Sequence, residues 1–392
     1  MGSCILYQNW DQTITLLDIP RSIEQAQGFR SEEIKCLISS KAIEQPFASI
    51  EPKSAKALRN AEEASVRSLL LDRYVRLALE EVQTAFRGAW CFPRVTEDTS
   101  SVDSLALQQN TDDVPEDALM YASERLPVIE GNSTHPGSDD NNGKHSHTME
   151  YFAPDVFYHN DKAIIMQFQV GSESSIAYIP PQSSFLLGDI ENTCTIFNTI
   201  GPQFNLVITD PPWPNRSARR KQSYKLSSNT PDVAALLSSI PLTSHLAGDA
   251  LVGIWVTNKP VIHDLILGPN GLFESWGVEL VEEWVWLKVT TSGEPISAID
   301  STWRKPYEIL LVGRKRGPGT TNTEFKRRVI IGVPDLHSRK PNLKTLFESL
   351  LPSKYEALEI FARNLTAGWW AWGNEVLKFQ SEEHWLDISN DT

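Results

Sequence analysis

Between residues 163 and 363 the chain repeats one local pattern, a short apolar run of strand length followed by polar or helical sequence. The runs are AIIMQFQV (163–170), SSFLLGDI (183–190), FNLVITD (204–210), ALVGIWVT (250–257), VELVEEWVWLKV (278–289), YEILLVGRK (307–315), RVIIGV (328–333) and ALEIFAR (357–363). Helical candidates lie between several of them, at 231–239, 260–267 and 342–350. Strands that alternate with helices predict an α/β fold with a doubly wound, mostly parallel sheet. Ligands of such sheets sit at the carboxyl ends of the strands. Asp189, Asp210 and Arg363 each close a predicted strand. One strand-end charge serves equally well as a cap, but three together point to a site.

The rest of the chain reads differently. Residues 53–90 are rich in Ala, Leu, Glu and Arg, with Val66, Leu69, Leu70, Tyr74 and Leu77 near helical spacing, which predicts one long helix or a helical hairpin. Residues 95–148 are acidic, rich in Ser, Asp, Asn and Gly, and nearly free of aromatic residues. Such a composition buries too little apolar area to offset the entropy of ordering. The expected organisation is a mainly helical region over 1–94, an acidic disordered linker or insertion over 95–148, and an α/β domain over 149–392.

The totals narrow the class. No apolar run approaches the eighteen or so residues of a membrane-spanning helix, and the start MGSCILYQNWDQ has neither the basic patch nor the apolar core of a signal peptide. A soluble, non-secreted chain with no membrane partner is expected. Myristoylation after Met1 calls for Ser or Thr at position 6, where Leu6 stands. Cys4, Cys36, Cys91 and Cys194 are far apart and have no Cys/His ligand spacing, and His145 and His147 read as linker, so no metal site is expected. The net charge of −14 is unevenly spread: residues 95–155 hold thirteen acids against two bases, whereas 304–344 hold eleven bases against three acids. Local basic surface binds phosphate whatever the global sum.

The strand at 204–209 ends in Asp210-Pro211-Pro212-Trp213. Neither proline has an N–H, and each holds the preceding residue in extended geometry, so the turn is stiff. Its carboxylate and the Pro211 carbonyl form a row of acceptors beside an indole face. Two fixed acceptors next to an aromatic plane suit an exocyclic amine on a planar heterocycle. Such an amine is a poor nucleophile until both N–H groups are held and the nitrogen pyramidalises, which makes positioning the main catalytic contribution. The plain alternative is a Pro-Pro turn with a buried tryptophan.

These residues resemble the DPPW-type adenine N6 methyltransferases, typified by the catalytic subunit of the mRNA adenosine methylase, and most of all the methyltransferase-like protein four branch. The resemblance runs from about 178 to 380 through GDI, DPPW, LVGIWVT, WRKPYEILLVGRKRG, HSRKP and EIFARN…GW…GNE, in that order. It implies a Rossmann-like class I methyltransferase domain with permuted motif order and S-adenosylmethionine as donor. Asp210 would stand between the donor and the target amine, with Pro211, Pro212 and Trp213 shaping the base pocket. Lys305 would meet the donor carboxylate, Asp189 and Ile190 would border its adenine, and Arg363, Asn364 and Asn374 would hold its ribose and adenine edge beside Phe361. The sequence departs from the family where Asn364 follows Arg363 directly and where Glu375 replaces a frequent Gln. A carboxylate still accepts from ribose hydroxyls.

Arg216, Arg219, Arg220, Lys221 and Lys225 follow the tetrapeptide, which places them at the pocket mouth, where a nucleic-acid backbone would pass with one adenine extruded. Arg339 and Lys340 in HSRKP would lie at the same entrance. The resemblance implies RNA as substrate, in this branch small nuclear RNA with a 2′-O-methylated adenosine as acceptor. The alternatives are DNA adenine and a silent binding subunit. It also implies a self-sufficient monomer, with a partner chain as the alternative, and the RRKQ and KRRV clusters suggest nuclear location, with the cytoplasm as a second compartment.

Overall fold

The computed structural model describes residues 2–29, 35–48, 66–97, 154–170, 175–214, 230–301, 305–317 and 324–387. The strands are β1 (Ile5–Gln8), β2 (Ile14–Leu17), β3 (Lys35–Leu37), β4 (Val156–His159), β5 (Met166–Val170), β6 (Ser175–Ile179), β7 (Ser184–Leu187), β8 (Phe204–Thr209), β9 (Leu246–Val256), β10 (Val278–Lys288), β11 (Tyr307–Lys315), β12 (Lys326–Gly332), β13 (Ala357–Ile360), β14 (Trp370–Gly373) and β15 (Trp385–Asp387). All eight apolar runs form strands. The main helices are α1 (Ile19–Ala26), α2 (Val66–Ala85), α3 (Ile190–Ile200) and α4 (Thr230–Ser239), with shorter ones at Pro260–Leu267 and Lys344–Phe347.

Eleven strands make one sheet in the order β1-β2-β12-β10-β11-β9-β8-β13-β14-β7-β4. Six of its ten pairings are parallel, and the block β9-β8-β13-β14-β7 is parallel throughout. Within the sheet β11 runs against both neighbours, and β1 and β4 close the edges antiparallel. One face carries Val207, Val252, Val285 and Leu358 beneath α2, α3 and α4. The other carries Leu206, Ile208, Trp255 and Trp284 against α1 and the helix at Lys344–Phe347. Burial of both faces explains why these strands read as continuous apolar runs rather than alternating ones.

The amino-terminal residues carry helices α1 and α2, and also short strands that the expectation of a mainly helical region did not place. β1 and β2 extend the main sheet beside β12, and α2 buries Leu71, Val75, Ala78, Leu79 and Val82 in the core it shares with the sheet. Short strands there were hidden because ILYQ and ITLL are too brief to show a period. Residues 53–65 of the expected helix and 98–148 of the acidic segment lie outside the described residues.

Candidate active site

The parallel block brings five predicted residues, at the ends of four strands, to one edge. Asp189 follows β7, Asp210 follows β8, Arg363 follows β13, and Asn374 and Glu375 follow β14; these four strands are adjacent in the sheet. Residues almost two hundred positions apart meet because neighbouring parallel strands end together.

Asp210 is anchored through its own N–H, which donates to the Ile360 carbonyl at 3.4 Å. Its side chain is 19% exposed, so one edge of the carboxylate is open to a ligand. The Lys340 amine lies 2.9 Å from Asp210 Oδ2, and the Arg363 guanidinium lies 3.9 Å away. Lys340 also pairs with Glu308 at 3.1 Å, and Glu308 with Lys288 at 2.5 Å. Burial alone would raise the Glu308 carboxyl, but Lys340 and Lys288 outweigh it and hold the group well below the usual carboxylate range. Burial would likewise lower the Lys340 amine, yet Asp210 and Glu308 raise it, so the lysine keeps its proton. Beneath the two lysines lie aromatic rings, Trp255 under Lys340 at 5.5 Å and Trp286 under Lys288 at 4.7 Å. The Trp286 indole N–H is buried and has no hydrogen-bond partner.

Glu359 completes the corner. It stands opposite Ile208 in the β13/β8 register, on the sheet face that Asp210 also occupies. Burial and the neighbouring Asp210 raise its carboxyl to about 7, against the pull of Arg363 and Lys340.

At the neighbouring strand ends, Asp189 occupies the N-cap of α3, where its side chain makes no cap bond and instead accepts from Asn374 Nδ2 at 3.0 Å. The other Asn374 amide atom, Oδ1, is buried without a partner. Glu375 pairs with Arg363 at 2.9 Å and Lys378 at 3.0 Å. Phe361 is buried with φ of 59°, an uncommon conformation for an aromatic residue, and its N–H donates to the Trp372 carbonyl at 2.7 Å. Gly373, with φ of 147°, allows the approach: an added Cβ would come within 3.2 Å of the Phe361 Cα.

Several expectations are corrected. Lys305 does not join this cluster: its amine bonds to Asp72 at 2.6 Å and to the Ile299 carbonyl at 3.0 Å. Lys340, expected at the entrance, is the lysine that reaches Asp210. Arg339 is buried, bonding Asp335 at 2.6 Å and the Ile38 carbonyl at 3.0 Å and lying over the Phe379 ring, so it holds the fold and is not available to phosphate. Trp213 offers no open stacking face, since it is 8% exposed and its indole N–H donates to the Trp255 carbonyl at 2.7 Å. The Pro211 carbonyl already accepts from the Trp213 N–H at 2.7 Å, which leaves it one lone pair. Pro212 is half-buried, and Lys259 ties down the exit of the turn by donating to the Pro214 carbonyl at 2.8 Å. Ile190 is buried in the core, and the Asn364 amide donates to the Leu365 carbonyl at 3.4 Å. The basic surplus of 304–344 is largely neutralised: Arg314, Arg316, Arg327 and Arg328 all have carboxylate partners, as do Lys305, Arg339, Lys340 and Lys344. Arg216, Arg219, Arg220, Lys221 and Lys225 lie outside the described residues.

Sequence reasoning missed Glu308, Lys288, Glu359, Trp255 and Trp286. Lys288 ends β10 and was open to the same strand-end rule that found Asp210. The others face the site by strand alternation, which needs the register. The four cysteines are free, and among the described residues no group of His, Cys, Asp and Glu is placed to hold a metal and no helix is long and apolar enough to cross a membrane.

At the carboxyl edge of a mostly parallel sheet stands a stiff acidic corner, with Lys340 and Arg363 beside Asp210 and with Asp189, Asn374 and Glu375 at the neighbouring strand ends. The chain belongs to the MT-A70 family of N6-adenine methyltransferases, whose profile matches residues 204–375. It is 39% identical to N6-methyladenosine RNA methyltransferase MTA1 of Pyricularia oryzae, over 98% of this chain and 97% of that one. It is 31% identical to the N(6)-adenine-specific methyltransferase METTL4 of Mus musculus, over 83% of this chain and 67% of the relative. A Caenorhabditis elegans protein named DNA N6-methyl methyltransferase is 33% identical over 54% and 56% of the two chains.

Proposed function

We propose that this chain transfers a methyl group from S-adenosylmethionine to the N6 amine of adenine in RNA, through a Rossmann-like methyltransferase domain. The observation that carries the reading is Asp210, anchored at the end of β8, partly open, and flanked by the matched strand ends that bear Asp189, Arg363 and Asn374. The cofactor fits the residues present: the orphaned Asn374 Oδ1 and the Asp189 and Glu375 carboxylates suit the hydroxyls and amine of a nucleoside, and Lys340 and Arg363 suit a carboxylate. S-adenosylmethionine supplies an electrophilic methyl carbon on a sulfonium centre.

The chain's own contribution is orientation. Asp210 accepts one N–H of the target amine and the free lone pair of the Pro211 carbonyl accepts the other, which turns the nitrogen lone pair out of the ring plane. Lys340 and Arg363 flank Asp210; as the new N–C bond forms and the methyl–sulfur bond breaks, the amine proton becomes acidic and leaves by way of the Asp210 carboxylate to solvent. Lys340 replaces Lys305 as the cation for the donor carboxylate.

RNA is favoured by the full-length similarity to a relative named for RNA, and DNA adenine is the second reading, favoured by the nematode relative's name. On the branch resemblance, the target is small nuclear RNA with a 2′-O-methylated adenosine, and the protein is a nuclear monomer. Residues 216–225 supply the cations for the backbone at the pocket mouth. Residues 95–148 serve as a linker or insertion between an amino-terminal part and the catalytic domain.

The test is methyl transfer to matched RNA and DNA oligonucleotides, with N6-methyladenine read by mass spectrometry. Asp210→Ala abolishes transfer and leaves donor affinity within roughly tenfold, about 1.4 kcal/mol. A fully active Asp210→Ala protein refutes the mechanism.

A further inference from the structure

Lys305 and Asp72 form a buried ion pair that the proposed chemistry does not use. The amine is 12% exposed and the carboxylate 7%, and the second Asp72 oxygen accepts from the Tyr307 hydroxyl at 2.8 Å. One carboxylate on α2 thus holds two side chains at the start of β11. A β-strand sends successive side chains to opposite faces. Lys305 and Tyr307 therefore turn toward α2, while Glu308 turns to the other face, where it pairs with Lys340 and Lys288.

Other contacts make this pinning part of a larger clasp. The connection from β10 to β11 begins after Lys288 and ends before Tyr307, the neighbour of Glu308, so the strands at both its ends carry members of the site. The amino-terminal region holds it at several points. Thr291 N–H donates to the Ile43 carbonyl and Phe47 N–H to the Ile296 carbonyl, both at 2.8 Å. From α2, Gln83 donates to the Gly293 carbonyl at 2.9 Å and Arg76 lies 3.5 Å from Asp300.

We propose that Asp72 and Lys305 are positioning residues: helix α2 fixes the first turn of the sheet at β11, and thereby the Glu308 carboxylate that steers Lys340 onto Asp210. The amino-terminal region is then part of the catalytic apparatus. The proposal rests on the reading of Asp210, Lys340 and Glu308 as the catalytic corner. Loss of the Asp72 charge leaves Lys305 as a buried cation without its partner, a situation strongly disfavoured in an interior. The start of β11 relaxes to accommodate it, and Glu308 moves with it.

The experiment is a double-mutant cycle on the full chain with Asp72→Asn, Glu308→Gln and both together. Turnover, oligonucleotide KM, donor affinity and thermal midpoint are each measured. If Asp72 acts through Glu308, each single variant loses kcat by about ten- to a hundredfold, and the double variant falls no more than about threefold below the poorer single. Losses that multiply, or an Asp72→Asn protein with normal kcat and only a lower melting midpoint, overturn the proposal. If Asp72→Asn does not fold, Tyr307→Phe removes one of the two contacts and enters the same cycle with the same criteria. A readout without turnover separates this inference from the functional reading: acylation of the Lys340 amine, followed by peptide mass spectrometry. Asp72→Asn speeds that labelling at least about threefold if the Glu308–Lys340 contact depends on it. Unchanged labelling sinks the inference whether or not the chain methylates adenine.

Discussion

Glu359 gives the sharpest test of the electrostatics around Asp210. Its carboxyl is raised from 4.5 to about 7, by burial first and by Asp210 second, with Arg363 and Lys340 opposing. A folded state that binds a proton more tightly than the unfolded chain is stabilised by that proton. The stabilisation is therefore fully present below 4.5 and is lost as pH rises through about 7. The interval amounts to roughly 3 kcal/mol for a group sealed from water. Glu359 is half-buried and solvent screens it, so about 1 to 2 kcal/mol is the expected effect. Glu359→Gln removes the titration and keeps the shape. Urea unfolding of both proteins at several pH values isolates the effect, because every other group cancels in the difference. Near pH 4.5 the two should be closely matched, and by pH 8.5 the variant should be more stable by about 1 to 2 kcal/mol. A difference that is flat with pH, or that shrinks as pH rises, would show that Glu359 is not held protonated beside Asp210.

The other expectations concern the cations. Lys340→Met should lower methyl transfer by about a hundred- to a thousandfold, as loss of a charge-stabilising donor does elsewhere; rates within threefold of the parent would remove Lys340 from the corner. Arg339→Ala should cost about 1.5 to 3 kcal/mol of stability by removing the nearer cation from buried Asp335 and leaving it Arg94 at 3.8 Å and the Ser40 donors, and an unchanged melting midpoint would contradict the buried pairing. Replacing Arg219, Arg220 and Lys221 together with Ala should raise the oligonucleotide KM and flatten its dependence on salt. An unaltered salt slope would take that segment off the binding surface.

Much of the fold was legible because a sheet buried on both faces has to be written in continuous apolar runs, and FNLVIT, LVGIWV and EILLVG are such runs. The strand-end rule found Asp189, Asp210 and Arg363 for the same reason, since parallel neighbours end together. What failed is what depends on register. β14 was hidden in GWWAWG, where three tryptophans read as generic core; two of them, Trp369 and Trp372, are indeed buried, and the strand at Trp370–Gly373 carries Asn374 to the site. Trp213 looked like a stacking face because its indole follows a rigid turn, yet the turn aims it at the Trp255 carbonyl. Arg339 looked solvated because it stands in a polar loop; Asp335 is four residues away, but nothing local reveals the Ile38 carbonyl and the Phe379 ring that bury the pair.

The exchange of roles between Lys305 and Lys340 shows the limit most plainly. Both lysines stand in the same tripeptide, Arg-Lys-Pro, at 304–306 and 339–341. No scale of propensity or charge separates them. β11 runs against its neighbours, so its first residues lie at the edge where β8, β9 and β10 end, and Lys305 and Lys340 both stand at that edge of the sheet. The face decides between them. Lys305 sits two residues before Tyr307 and shares its side, which α2 covers with Asp72, a carboxylate that neutralises the amine before any ligand could. Lys340 comes from a loop on the opposite side, over Trp255, where its partners are Asp210 and Glu308. Without the Asp72 carboxylate, the Lys305 amine would keep only the Ile299 carbonyl at 3.0 Å. What separates the two lysines in the structure is thus a residue of the amino-terminal helix, Asp72, which holds Lys305 from more than two hundred positions away.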